Sequence, residues 1–133
     1  VVRHGDHPAG DQVTALWVAL GAAVGAPLRY LLDRAVQSRH DSVFPWGTLT
    51  VNVLGSLLLG FLVGLPASTT LLAVLGTGLC GALTTYSTFS YETLRLLEQR
   101  AGRLAALNVA ASLALGLAAA YAGTLLATAM SRT

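Results

Sequence analysis

Gly81 to Glu92 reads GALTTYSTFSYE, and Thr84, Thr85, Tyr86, Ser87, Thr88 and Ser90 place six hydroxyls within seven positions. A serine or threonine hydroxyl both donates and accepts, so a dense run of them can replace part of the water around a small ion. Nucleophilic chemistry is not supported. A serine–histidine pair needs a nearby histidine, and His4, His7 and His40 all lie in polar flanks. Glu92 is the only acid of the stretch, so paired-carboxylate catalysis fails as well. No glycine-rich phosphate loop occurs, nor any metal-ligand spacing beyond the N-terminal tail. An enzyme is therefore not expected. His4 and His7 beside Asp6 have a metal-like spacing, but a solvated cluster in a polar tail is the simpler reading. The single cysteine, Cys80, cannot form an intrachain disulfide and is read as a small buried hydrophobe.

The hydroxyl run sits in a chain of 133 residues that is 54% apolar and only 11% charged. A soluble domain of this length cannot bury that much apolar surface within itself. The composition predicts a membrane protein in contact with a lipid bilayer, multi-pass in the cell inner (plasma) membrane. The basic residues are eight arginines and no lysine. They are scattered between apolar runs instead of lying on one face, which argues against a nucleic-acid partner. The first twelve residues are polar and the run behind them is of full span length, so no cleavable signal is expected.

Four spans are expected, over residues 13–32, 47–65, 70–98 and 104–127, in one domain 13–128 between a polar tail 1–12 and a short tail 129–133. Twenty residues at a rise of about 1.5 Å cross roughly one hydrocarbon thickness. In the first span Gly21, Gly25 and Arg29 share a face at spacing four, a small-residue pattern that lets helices approach closely. Pro27 is expected to kink its last turns. Arg29 either snorkels to the headgroups or draws anions into a water-filled mouth. Phe44, Pro45 and Trp46 read as an interfacial anchor. In the second span Thr48, Asn52, Ser56, Gly60 and Gly64 recur every four residues. That stripe must face protein or water, because lipid offers no hydrogen bonds. Asn52 is either a helix–helix hydrogen bond or part of a polar pathway. The same alternatives hold for Asn108 and Ser112, one turn apart in the fourth span.

The third span is unusual. Pro66 stops the second helix and Ser68 or Thr69 is the next N-cap. The apolar run 70–80 that follows is too short to cross. A half-helix, an unwound hydroxyl-rich turn and a second half-helix from Tyr91 to Arg100 are expected. Irregular backbone at membrane depth is tolerated where it lines a cavity or coordinates something, and freed carbonyls at such a break can bind a small cation. Hydroxyls and amides from Asn52, residues 84–90, Asn108 and Ser112 make a chain of donors, and Arg29 at a mouth favours anions. Tyr86 and Phe89 can meet an anion with their electropositive ring edges. The residues alone give a small-anion pathway and do not choose the anion.

The order of these elements resembles the CrcB/Fluc family of fluoride channels. GALTTYSTFSYE is similar to that family's GGLTTFSTFSxE signature. Gly25-Ala-Pro-Leu-Arg29-Tyr30 resembles its first-helix element, Trp46 to Ser56 its second-helix element, and Asn108 with Ser112 its fourth-helix pair; together they span nearly all of residues 21–125. The resemblance implies an all-α membrane protein with four transmembrane helices, the third broken in mid-membrane, assembled as an antiparallel dimer with two fluoride pores. It implies a structural sodium ion at the dimer centre, held by backbone carbonyls of Gly81 and Thr84. It assigns Asn52, Tyr86, Ser87, Thr88, Phe89, Asn108 and Ser112 to the fluoride path, Arg29 to a vestibule and Glu92 to a polar position near the pore end. Fluoride that enters as the neutral acid would leave passively as the anion.

The chain departs from the pattern in three ways. Ala82 replaces the second glycine, and Tyr86 replaces the usual phenylalanine, adding a phenol to the aromatic pair. The arginines are also uneven. Arg3 and Arg132 fall on the side of the termini, whereas Arg29, Arg34, Arg39, Arg95, Arg100 and Arg103 fall on the side of loops one and three. That bias predicts loops one and three inside. It raises the alternative of an orientation-fixed or non-conducting subunit paired with a similar, oppositely biased one. A small multidrug exporter would need an acid inside its first span, and residues 13–32 have none.

Overall fold

Hydropathy marks only the part of a helix that meets hydrocarbon, and the helices of this chain run beyond it. The computed structural model describes residues 8–40 and 43–132. Helix α1, Pro8–Ser38, is 31 residues long. It starts five residues before the expected span because Asp11 in its first turn meets the positive end of the helix dipole. It continues past Leu32 because residues 33–38 hold no glycine or proline to stop it. Pro27 lies inside without ending it. At about 1.5 Å per residue it is longer than the hydrocarbon is thick, so both ends emerge. The tail expected over 1–12 is thus helical from Pro8 onward, and His4, Asp6, His7 and Arg3 lie outside the described residues.

Helix α2 is Trp46–Gly64. Its start holds a difference from the sequence reading: Phe44 is buried, 3% exposed, and only Trp46 of the aromatic anchor is open at the surface. Phe44 packs on Trp46 at 4.7 Å between ring centroids. Pro66 follows the helix, and Ser68 caps the next one, its Oγ accepting from Leu71 N at 3.1 Å.

Helix α3 covers residues 69–83 in three joined pieces, Thr69–Leu71, Leu72–Cys80 and Gly81–Leu83. The middle piece has π-type turns, with bonds reaching five residues back, so it is wider than an α-helix. Residues 84–86 are not helical, and Thr84 turns extended with ψ 159°. Helix α4, Ser87–Glu98, resumes four residues earlier than the expected Tyr91. The cause is local: Thr85 Oγ1 accepts from Thr88 N at 3.1 Å and supplies the cap that the sequence pattern did not reveal. Helix α5, Gly102–Ser131, completes the chain and absorbs most of the expected C-terminal tail.

Four stretches of the described residues are long and apolar enough to cross a membrane: Gly10–Ser38, Trp46–Gly64, Thr69–Glu98 and Gly102–Ser131. Among the described residues there is no strand. Two pairings hold the fold, and small residues make both. In α1 against α3, a Cβ on Gly21 would run into the Val74 carbonyl, and one on Gly25 would stand 2.5 Å from Leu79 O. In α2 against α5, Gly60 meets the Ala120 carbonyl and Gly123 meets that of Leu57, while Thr124 Oγ1 donates to Gly60 O at 3.1 Å. With backbones this close, dispersion contacts and hydrogen bonds replace the hydrophobic drive that lipid removes. The buried centre is small, built around Val51, Thr48, Leu62, Leu96 and Asn108.

Candidate functional site, an interrupted helix beside a polar groove

The site is built where α2 meets the interruption between α3 and α4. Leaving the helix at Thr84 strips backbone groups of their helical partners, and in lipid each must be satisfied by protein. Asn52 does this with both ends of its amide. Its Oδ1 accepts from Thr85 N at 2.8 Å, and its Nδ2 donates to Thr85 O at 3.2 Å. The side chain thus stands in for a strand-like backbone partner. Gly55, one residue short of the next turn of the same helix, lets Thr84 approach, since a Cβ there would collide with Thr84 Cγ2.

This arrangement has a consequence for two carbonyls. Thr85 N–H, the i+4 donor for Gly81 O, is spent on Asn52. Thr88 N–H, the i+4 donor for Thr84 O, is spent on Thr85 Oγ1. Cys80 O keeps its partners, accepting from Thr84 N at 2.9 Å and from Thr84 Oγ1 at 2.8 Å. Gly81 and Thr84 therefore present carbonyl oxygens deprived of these helical donors, and both residues line one groove.

That groove, about 600 Å³, runs between α2, α3, the interruption and α5. Asn52, Ser56, Thr85, Tyr86, Phe89 and Ser112 line it together with Gly81 and Thr84. Tyr86 is 83% exposed at its edge, with its ring 6.5 Å from that of Phe89. The Ser112 Oγ is buried in the protein without a hydrogen-bond partner.

The remaining expected residues lie elsewhere. Asn108 is fully buried and donates to Thr93 Oγ1 at 2.9 Å, tying α5 to α4; it does not line the groove. Ser87 is exposed and does not line it either. Thr88 faces a smaller cavity of about 190 Å³ on the other side of the interruption, shared with Arg29 and Thr48. Glu92 lines a polar mouth of about 340 Å³ near the loops, with Asp33, Gln37, Arg95 and Gln99. Its carboxyl is half-buried beside the hydroxyl of the buried Thr48.

Thr48, Asp33 and Thr93 are among the residues around these surfaces that were not singled out as site residues from the sequence. Thr48 is one turn before Asn52 on the same stripe, so its face was legible. Asp33 is one turn after Arg29, an i+4 relation that puts the two residues on one face of the helix. Thr93 carries no signal beyond its type, because its partner Asn108 comes from another helix.

Comparison with known proteins bears on this arrangement. A family model described as CrcB-like protein, Camphor Resistance (CrcB), matches residues 16–124. The chain is 62% identical over 119 residues to Fluoride-specific ion channel FluC 1 of Streptomyces avermitilis, covering 86% of this chain and 96% of that one. It is 59% identical over 124 residues to a protein of the same name from Frankia casuarinae, with 86% and 96% covered. A third, from Nocardia farcinica and also named Fluoride-specific ion channel FluC 1, is 53% identical over 113 residues, with 85% and 80% covered.

Proposed function

The chain belongs to the CrcB family, and on that premise we propose that it is a fluoride-selective ion channel that lets fluoride leave the cell passively. The observation that carries this reading is the 62% identity over nearly the whole length of a protein named as a fluoride-specific ion channel. The chain is a multi-pass protein of the plasma membrane and not an enzyme. Fluoride accumulated as the neutral acid ionises in the cytoplasm, and a selective path then returns the anion down its gradient.

The local chemistry supports that path. Fluoride is small and strongly hydrated, so it needs strong donors where water is stripped away. Asn52 keeps one amide hydrogen after bonding Thr85, Ser112 has an unpartnered hydroxyl, and Tyr86 and Phe89 offer ring edges along the same groove. Residues 69–83 rise roughly 20 Å, less than one hydrocarbon thickness. The interruption at 84–86 therefore falls in mid-membrane in this reading. A groove that exposes Tyr86 and backbone carbonyls at such depth needs a protein cover, which an antiparallel second subunit provides. Two copies bring the Gly81 and Thr84 carbonyls together about the dimer axis. Oxygens deprived of their N–H donors suit a hard cation, so Gly81 and Thr84 are the residues that would hold the structural sodium ion. Bound there, it would supply positive charge that anchors the two interruptions.

Purified protein in liposomes is expected to release fluoride, read by a fluoride electrode, and to retain chloride. Absence of fluoride release, alone and with any paired homologue, counts against the channel reading.

The arginine distribution favours a second reading, an orientation-fixed subunit that pairs with a similar but oppositely biased one. Arg29, Arg34, Arg39, Arg95, Arg100 and Arg103 gather at the end of the bundle that carries loops one and three. In that reading the fluoride path forms only in the mixed dimer, and Tyr86→Phe leaves efflux by this chain alone at background.

A further inference from the structure

Two polar cavities share one lining residue, Asp33. The mouth near the loops, about 340 Å³, is lined by Asp33, Glu92 and Arg95 among others. The deeper cavity, about 190 Å³, is lined by Arg29, Thr48 and again Asp33. Thr48 is 1% exposed, with its hydroxyl beside the Glu92 carboxyl. Thr48, Thr85 and Thr88 give the deeper cavity a hydroxyl-rich lining that suits water or an anion. Asp33 is the residue that lines both cavities, and Thr85 lines both the deeper cavity and the groove.

The charges of the two chambers cancel. Arg29 and Asp33 come from α1, one turn apart; Glu92 and Arg95 come from α4. A net-neutral approach does not concentrate anions, whereas one with a surplus of positive charge does. We propose that Asp33 sets the rate at which anion is supplied to the path: its carboxylate offsets Arg29 and holds down local fluoride. It does not choose between halides, because it stands at the mouth and the groove with Tyr86 and Phe89 is a separate surface. The inference rests on the channel reading.

The test is fluoride efflux from proteoliposomes holding the whole chain as wild type, Asp33→Asn or Asp33→Glu. Chloride efflux and gel-filtration elution are followed in parallel. Asp33→Asn is expected to speed fluoride efflux by about threefold to tenfold at low ionic strength. The gain should shrink near 1 M salt, where the screening length falls to about 3 Å. Asp33→Glu keeps the wild-type rate, and no variant passes chloride. If Asp33→Asn does not elute as folded protein, Asp33→Cys replaces it. Reaction of that thiol with an anionic reagent should slow efflux and with a cationic reagent should speed it. Wild-type efflux that neither the neutral variant nor the sign of the reagent alters overturns the role of Asp33 alone. A gain that persists in high salt overturns it too. No fluoride efflux from wild type overturns the channel reading and this inference with it.

Discussion

At the scale of the residue, Asn52 carries more of the site than any other side chain. One amide satisfies both polar groups of Thr85, and by doing so it frees the carbonyl of Gly81. Aspartate lacks the donor, and leucine lacks both groups. Asn52→Ala leaves an N–H and a C=O unpaired at membrane depth, each costing about 1–3 kcal/mol. The expected outcome is a lowered thermal midpoint in detergent and at least a tenfold loss of fluoride efflux. Full efflux from that variant would mean that the path does not depend on the geometry at Thr85. Asn108 has a different task. It is fully buried and bonds Thr93, so its contribution is to the register of α5 on α4.

At the scale of the element, glycines decide where helices touch. Gly21 lies so close to the Val74 carbonyl that any Cβ would collide with backbone, which a flexible side chain cannot relieve. Gly21→Val should therefore destabilise the α1–α3 pair by about 1–3 kcal/mol. Loss of monodisperse protein on gel filtration is the check, with Gly102→Ala as a control where a Cβ meets nothing within 4 Å. The end of α4 offers the opposite sign. Ala101 N bonds Leu96 O at 2.8 Å and Arg100 N bonds Leu97 O at 3.1 Å, while Arg100 has φ 59°. This is a left-handed helix terminus of the kind glycine fills without strain. Arg100→Gly is expected to raise stability by up to about 1 kcal/mol, read as a higher melting temperature with unchanged efflux.

At the scale of the whole molecule, the helices form two close pairs and leave an open groove on one side. Lipid cannot satisfy the hydroxyls and carbonyls that line it, so assembly and conduction are one question. The charge bias adds a measurable statement about orientation. A reporter fused to the C-terminus should be found outside the cell in most copies, because the end with loops one and three carries the surplus of arginine. Equal inside and outside populations would show that the chain inserts both ways and that the mixed-dimer reading is unnecessary.

The amino-acid sequence by itself determined the spans, the small-residue stripes and the hydroxyl run, since these depend on residue type at a helical period. It identified Asn52 as an amide needing a partner but left that partner open. Helix ends were less legible: hydropathy cannot see the polar turns at Pro8–Gln12 or 33–38, which stay helical in water and headgroups. The cap at Thr85 also escaped, because the hydroxyl run offers several caps and only one geometry uses this one. Only the tertiary structure decided which face each polar residue meets. It joined Asn52 to Thr85 across 33 positions, sent Asn108 to Thr93 instead of the groove, and brought Asp33 between two cavities. Those partners lie on different helices, and a helical period within one element carries no information about the rotation of its neighbour.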